Sequence, residues 1–317
     1  MLILKDEDIR RLVTMKEAIA AVEKAFGELA KGRAMMPPRS TMMLEKGSIS
    51  LMPSYLQETG TVATKIISIY AQNPAKGLPT SIAQIIANDP ETGKFIALIE
   101  ASYLTALRTG AVTGVAAHYL AREDSKVAAI IGCGVQGRTQ AWAVIESRDI
   151  ETFRCYDLSK ERRRAFAEEM SRTLEVEVLP VDRAKEAVKD ADIIVTATTS
   201  KIPVVKKEWL GDGAHISAVG SFYPDHREID TETVKDAKVV VDLREAVLAE
   251  AGDLIIPIKE GAITESHIYA ELGELVIGLK QGRTEDDNLT LFKSVGLAIQ
   301  DSAVAGLAIK KWKESLS

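Results

Sequence analysis

Residues 126–140 read KVAAIIGCGVQGRTQ, an apolar strand-like run, a turn with three glycines, and a segment able to open a helix. The spacing Gly132-Cys133-Gly134-Val135-Gln136-Gly137 has a physical logic. Gly132 permits the tight turn, Gly134 lets a backbone approach a pyrophosphate, and Gly137 allows the helix to sit close to the strand. The helix start then offers unpaired N–H groups and the positive end of a dipole to phosphate. Alone, such a turn is a weak signal. Here Asp157 follows twenty residues beyond Gly137 at the end of the next strand-like run, placed to accept hydrogen bonds from a ribose diol and to repel a 2′-phosphate. Ser159, Lys160 and Arg162 lie close by and soften that repulsion, so NAD is favoured and NADP is tolerated.

Strand and helix alternate outward from this stretch. KVAAIIG, a helix at 135–148, TFRCYDL, a helix at 160–172, EVEVLP, a helix at 182–190, DIIVTATT, HISAVG and AKVVVD follow in order. That rhythm predicts a parallel sheet covered on both faces. The preceding half reads differently. TMKEAIAAVEKAFGELAKG places Ile19, Val22, Phe26 and Leu29 on one helical face, opened by a Thr14/Glu17 capping box and stopped at Gly32. SISLMPSYL, VATKIISIYA, TSIAQIIAND and KFIALIEA then form strands without intervening helices, the last two joined by the turn NDPETGK. A mainly antiparallel or mixed sheet is expected there. Residues 101–122 read as a small-residue helix, and SVGLAIQDSAVAGLAIKKWKESL as a long C-terminal helix that returns to the first domain. The expected fold is α/β: a Rossmann-type dinucleotide-binding domain (121–296) and an α+β substrate-binding and dimerisation domain (1–120 and 297–317).

The chain has 317 residues, 46% apolar and 27% charged, with a net charge of −6. Acidity disfavours nucleic acid and anionic membranes as partners, and no apolar run is long enough to span a bilayer. MLILKDEDIRR turns acidic too soon for a secretory signal, so a cytoplasmic location is expected. Cys133 and Cys155 are too few for a disulfide framework, and His118, His215, His226 and His267 form no metal-ligand pair, so no protein-bound metal is expected.

Two cations stand out. Arg108 lies in LTALRTGAVTG among small and apolar residues, where it either lays its stem along a surface or clamps a substrate carboxylate with two parallel hydrogen bonds. Lys65, in VATKIISIY, either faces solvent opposite Val62, Thr64 and Ile66 or reaches a substrate. Arg39, after MMPP, poses the same choice with less support.

Together, MPPRS, KIISIYAQNPAKGLPT, DPETGKFIALIEASYLTALRTGA, IIGCGVQG and SVGLAIQD resemble the ornithine cyclodeaminase/mu-crystallin family along nearly the whole chain. The resemblance implies a nicotinamide cofactor and a homodimer formed through the N-terminal domain. It implies activity on a small amino acid, keto acid or cyclic imine. Arg39 and Arg108 would hold the carboxylate, and Lys65 the keto or imino centre. Thr80 and Thr109 match positions near the nicotinamide or phosphates. Gly132, Gly134, Val135, Gln136 and Gly137 would form the pyrophosphate turn, with Asp157 at the ribose. Thr198, Val219 and Gly220 would line the cofactor cleft, and Ser294 would sit beside the nicotinamide amide. One departure bears on function: cyclodeaminases and archaeal-type alanine dehydrogenase carry an aspartate two residues beyond the glycine matching Gly220, where this chain has Phe222, as reductase-like members also lack it. Asp225, His226 and Glu228 are near in sequence.

The resemblance therefore implies an NAD(P)-dependent oxidoreductase acting at the CH–NH or CH–NH2 group, either a cyclic ketimine reductase or an alanine dehydrogenase. The competing readings are an ornithine cyclodeaminase that uses bound NAD and a non-catalytic NAD(P)H-binding protein.

Overall fold

Residues 1–108 and the chain from Leu297 onward build one unit, and Thr109–Gly296 a second, in the computed structural model, which describes residues 1–316. In the first, β1 (Leu2–Leu4), α1 (Asp6–Leu12) and α2 (Met15–Ala30) precede β2 (Ala34–Met35), β3 (Ser40–Leu44), β4 (Gly47–Leu56), β5 (Thr61–Ile69), β6 (Ser81–Asn88) and β7 (Phe95–Glu100). Among the described residues these make a mixed sheet in the order β1-β7-β6-β5-β4-β2, with β3 also on β4. Only β1 runs parallel to its neighbour; the other pairings are antiparallel. The expected mixed sheet is therefore present.

Local chemistry explains the elements. Thr14 Oγ1 accepts from Glu17 N at 3.3 Å while the Glu17 carboxylate accepts from Thr14 N at 3.0 Å, the reciprocal cap that starts α2. Asp89 Oδ1 accepts from the backbone of Glu91 and Thr92 and so folds the β6–β7 turn. The C-terminal helix (Ala298–Glu314) contacts α2, β4 and β5 on one side of the sheet. It starts four residues later than SVGLAIQD suggested. On β5 the buried set is Thr61, Ala63 and Lys65, out of phase with Val62, Thr64 and Ile66. The solvent-facing alternative for Lys65 is thus excluded: it is 1% exposed. The opposite face of the sheet leaves Met42, Leu51 and Ile82 exposed.

Helix α3 (Ser102–Leu120) runs through the division at 108/109, so the break falls inside this helix. The second unit continues with β8 (Val127–Ile131), α4 (Val135–Ser147), β9 (Thr152–Tyr156), α5 (Lys160–Leu174), β10 (Glu177–Pro180), α6 (Ala184–Val188), β11 (Ile193–Thr196) and β12 (Ala214–Ala218). Then come α7 (Thr231–Asp236), β13 (Lys238–Val241), α8 (Arg244–Glu250), α9 (Gly252–Lys259), β14 (Ile268–Glu271), α10 (Leu272–Val276) and β15 (Leu289–Lys293); the C-terminal helix is α11. All eight strands are parallel, in the order β10-β9-β8-β11-β12-β15-β13-β14.

Along β8 the side chains alternate between two cores. Ala128 and Ile130 pack with Phe153 and Phe166, while Ala129 and Ile131 pack with Ile194 and Ile216. Both faces are covered, as a parallel sheet requires. β8 lies between β9 and β11, so the strand order reverses there. Ligands of such sheets bind beyond the carboxyl ends of the strands at that reversal. No helix of the described residues is long and apolar enough to cross a membrane.

Candidate active site

In the second unit the glycine turn leaves β8 and opens α4. Gly132 has φ +104°, and a Cβ there would lie 2.6 Å from the Ala197 carbonyl oxygen. A Cβ on Gly137 would lie 2.2 Å from the Gly132 carbonyl oxygen, so only glycine lets the helix start this close to the turn. Gly134 has nothing within 4 Å of where a Cβ would stand, and it caps α4 without a side-chain bond. The first N–H groups of α4, at Val135 and Gln136, have no intrahelical partner. Asp157 closes the turn from β9: its Oδ2 accepts from Cys133 N at 3.0 Å and its Oδ1 from Ser159 N at 3.0 Å. Each oxygen keeps a lone pair, and Arg162 Nη1 stands 3.7 Å from Oδ2. An open glycine, free helix N–H groups and an anchored carboxylate are what a dinucleotide's pyrophosphate and ribose require.

The other strand ends are tied together by buried acids. Glu228 is fully buried, and its Oε1 accepts from Thr198 N and Thr198 Oγ1, each at 2.7 Å, while Oε2 accepts from Gly220 N at 2.8 Å. Burial pushes the Glu228 carboxyl upward in pKa. Asp253 Oδ1 accepts from the Glu228 and Ile229 backbone, and its Oδ2 ion-pairs with Lys293 at 2.8 Å. Lys293 also donates to the Ser221 carbonyl. This network holds Thr198 and Gly220 past the ends of β11 and β12, while Val219 N donates to the Thr196 carbonyl at 3.0 Å. Ser294, past β15, donates to Asp242 Oδ2 at 2.8 Å, and the same oxygen accepts from Val295 N and Gly296 N. Thr109, on α3, accepts from Gln140 Nε2 at its carbonyl. Asp225 is exposed and pairs with His226 at 2.8 Å, and Phe222 is half-buried against Tyr223.

In the first unit the cations converge. Asp301, on the first turn of α11, places Oδ2 2.7 Å from Lys65 Nζ and Oδ1 2.9 Å from Arg108 Nε. Arg108 Nη1 donates to Gln300 Oε1 at 2.5 Å. Nη2 is the guanidinium nitrogen left without a protein partner among the described residues. Lys65, Asp301 and Gln300 are at most 1% exposed and Arg108 6%. Burial, and then the charge of Arg108, push the Lys65 ammonium down to about 7, while Asp301 pulls it back up; Arg39 adds to the depression. Two buried cations, Lys65 and Arg108, thus share the single carboxylate of Asp301 in a largely dry setting, an arrangement that an anionic ligand would complement. Thr80 lies in an exposed loop of the same unit, its carbonyl accepting from Tyr70 N at 2.8 Å.

Sequence reading missed Asp301, Gln300, Asp242, Asp253 and Lys293. A signal existed for the first two: adjacent polar residues inside an otherwise apolar helical stripe. Lys293 ends the apolar run LTLF, where a lysine should have been suspected of a buried partner.

Residues 1–315 match the ornithine cyclodeaminase/mu-crystallin family. Alanine dehydrogenase of Archaeoglobus fulgidus is 41% identical over 305 residues, 96% of this chain and 92% of that protein. The structure of Thermococcus litoralis Delta(1)-pyrroline-2-carboxylate reductase, in complex with NADH and L-proline, is 50% identical with a TM-score of 0.97, covering 99% of this chain and 98% of that one. An archaeal alanine dehydrogenase dimer with bound NAD is 39% identical with a TM-score of 0.94, over 100% and 97% of the two chains. With a match across almost every residue, this chain belongs to the ornithine cyclodeaminase/mu-crystallin family.

Proposed function

We propose that the protein is an NAD(P)-dependent oxidoreductase, with NAD favoured, that interconverts a small α-amino acid and its imine, either as a cyclic ketimine reductase or as an alanine dehydrogenase. The observation that carries this reading is the buried pair of cations, Lys65 and Arg108, that share the one carboxylate of Asp301. An α-imino or α-amino carboxylate supplies the anion that charge calls for. The named activities of the relatives support the same chemistry.

In this reading the second unit binds the cofactor: the N–H groups of Val135 and Gln136 hold the pyrophosphate and Asp157 the ribose hydroxyls. Thr198, Val219 and Gly220 line the cofactor cleft, Ser294 sits beside the nicotinamide amide, and Thr109 lies near the nicotinamide or phosphates. A nicotinamide held there supplies a hydride to the imine carbon, or accepts one from the amine. The first unit binds substrate. Arg108 and Arg39 hold the carboxylate and so fix the orientation of the reacting carbon. Lys65 donates a proton to the imine nitrogen as the carbon is reduced and recovers one from water, so one hydride and one proton convert C=N to CH–NH.

Phe222 supports imine reduction over cyclodeamination, and since archaeal-type alanine dehydrogenase carries the same aspartate as the cyclodeaminases, it favours the ketimine reductase of the two readings. A phenyl ring cannot accept a proton or pair with a distal ammonium. Glu228 is committed to Thr198 and Gly220, and Asp225 is 72% exposed beside His226, so neither replaces the family carboxylate. The exposed Met42, Leu51 and Ile82 face, with the dimer of the archaeal alanine dehydrogenase, supports a homodimer through the first unit's sheet. The test is a screen of NADH and NADPH against cyclic imines and against keto acids plus ammonia. Net oxidation with at least one imine or with pyruvate and ammonia is expected; none across the panel, despite tight cofactor binding, favours a binding protein.

A further inference from the structure

We propose that Asp301 is a positioning residue for the reaction, one carboxylate that fixes Lys65 and Arg108 in a common frame and keeps Lys65 able to donate its proton. This rests on the assignment of Lys65 as the proton donor. Asp301 divides its two oxygens, Oδ2 to Lys65 at 2.7 Å and Oδ1 to Arg108 at 2.9 Å. The two cations come from separate elements, β5 and α3, and Asp301 comes from a third, α11. A movement of either cation is therefore felt by the other through a single planar group.

The geometry also limits what each cation can do. Engaging Nε with Asp301 and Nη1 with Gln300 fixes the guanidinium plane and leaves both Nη2 hydrogens for a ligand. Gln300 Nε2 is buried without a partner; its amide orientation is set, because Arg108 can only donate and so selects Oε1. On Lys65 the contact with Asp301 Oδ2 at 2.7 Å takes up one of the ammonium's three protons. The charges acting on Lys65 are Arg108 on α3, Asp301 on α11 and Arg39 in the segment before β3. Asp301 is the only anion of these. Without it, burial and two guanidinium groups would drive Lys65 to the neutral amine, which cannot donate.

Three variants test the proposal, with NADH and pyrroline-2-carboxylate as the probe. In wild type, kcat/KM for reduction should fall as pH rises and Lys65 loses its proton. In Asp301→Asn that basic limb should move to lower pH by about 1–3 units, the shift expected on losing an opposite charge at contact distance. Titration of the imine itself is common to both proteins and cancels in the comparison. Asp301→Glu keeps the charge but displaces it by one methylene, so its limb should stay within about 1 unit of wild type while the low-pH plateau of kcat/KM falls. If Asp301→Asn does not fold, the Glu variant carries the test. An Asn variant that loses turnover with its limb unmoved, or a Glu variant with a wild-type plateau, overturns the proposal. Lys65→Met separates the two levels: retained turnover there refutes Lys65 as donor, whereas lost turnover beside an unmoved Asn limb refutes only the role of Asp301.

Discussion

Replacing Arg108 by alanine removes both a ligand contact and a structural one, and the structure gives a size to each. The side chain donates to Asp301 at 2.9 Å and to Gln300 at 2.5 Å, with Nη2 remaining for a carboxylate. Loss of a charge-assisted contact to the transition state should cost about 2–4 kcal/mol, or roughly 30- to 1000-fold in kcat/KM. The protein also loses stability, because Gln300 Oε1 is left buried without a donor and Asp301 keeps only Lys65. Breaking a buried pair from one side costs about 3–5 kcal/mol, and the surviving Lys65 contact places this case near the lower end. At about 3 kcal/mol the melting temperature should drop by roughly 6–12 °C. Arg108→Lys separates the effects: it restores charge beside Asp301 but not the planar fork, so stability should recover more than activity. Steady-state kinetics at low substrate with saturating NADH, and thermal unfolding without ligand, read the two quantities. An alanine variant with kcat/KM within about threefold of wild type would refute the carboxylate role, and an unchanged melting temperature would refute the structural one.

Gly137→Ala puts a methyl group 2.2 Å from the Gly132 carbonyl oxygen; NADH binding, titrated by fluorescence, should weaken about tenfold or more, and an unchanged Kd would contradict the turn's role. Asp157→Ala should weaken NADH more than NADPH, since the ribose diol loses an acceptor and a 2′-phosphate loses a repulsive neighbour, and an unmoved preference shows that Asp157 does not hold the ribose. Light scattering at micromolar concentration should report a dimer; monomer alone refutes burial of the Met42, Leu51 and Ile82 face. Ornithine incubated with catalytic NAD should yield little or no proline by chromatography, and efficient proline formation would instead promote the lyase.

The dinucleotide fold was legible because its signal is local. Three glycines, a strand before them and Asp157 after them all lie in one βαβ unit. The cation cluster was legible only in part. Lys65 occupies the less apolar face of β5, with Thr61 and Ala63, so hydrophobic alternation pointed to the wrong side. What buries that face is α11, at the far end of the chain, and no window around residue 65 contains it. Asp301 and Gln300 were hidden for the same reason, since a polar pair in an apolar helix names no partner until the helix is placed. Strand β15 escaped notice because LTLFK is short and follows the polar run TEDDN, yet it lies between β12 and β13 and carries Lys293 and Ser294 to the strand ends.

Deuterium transfer from NADH labelled at C4 to the product tests the central claim most directly. Incubation of the wild-type protein with the two C4-labelled diastereomers in turn, and with pyrroline-2-carboxylate or with pyruvate and ammonia, would be followed by mass spectrometry of the amino acid formed. One diastereomer should deliver one deuterium to the α-carbon for each NADH oxidised, in a product that accumulates with net loss of NADH. An α-carbon without label, or no net oxidation in the presence of either substrate, would contradict hydride transfer at the carbon bearing nitrogen.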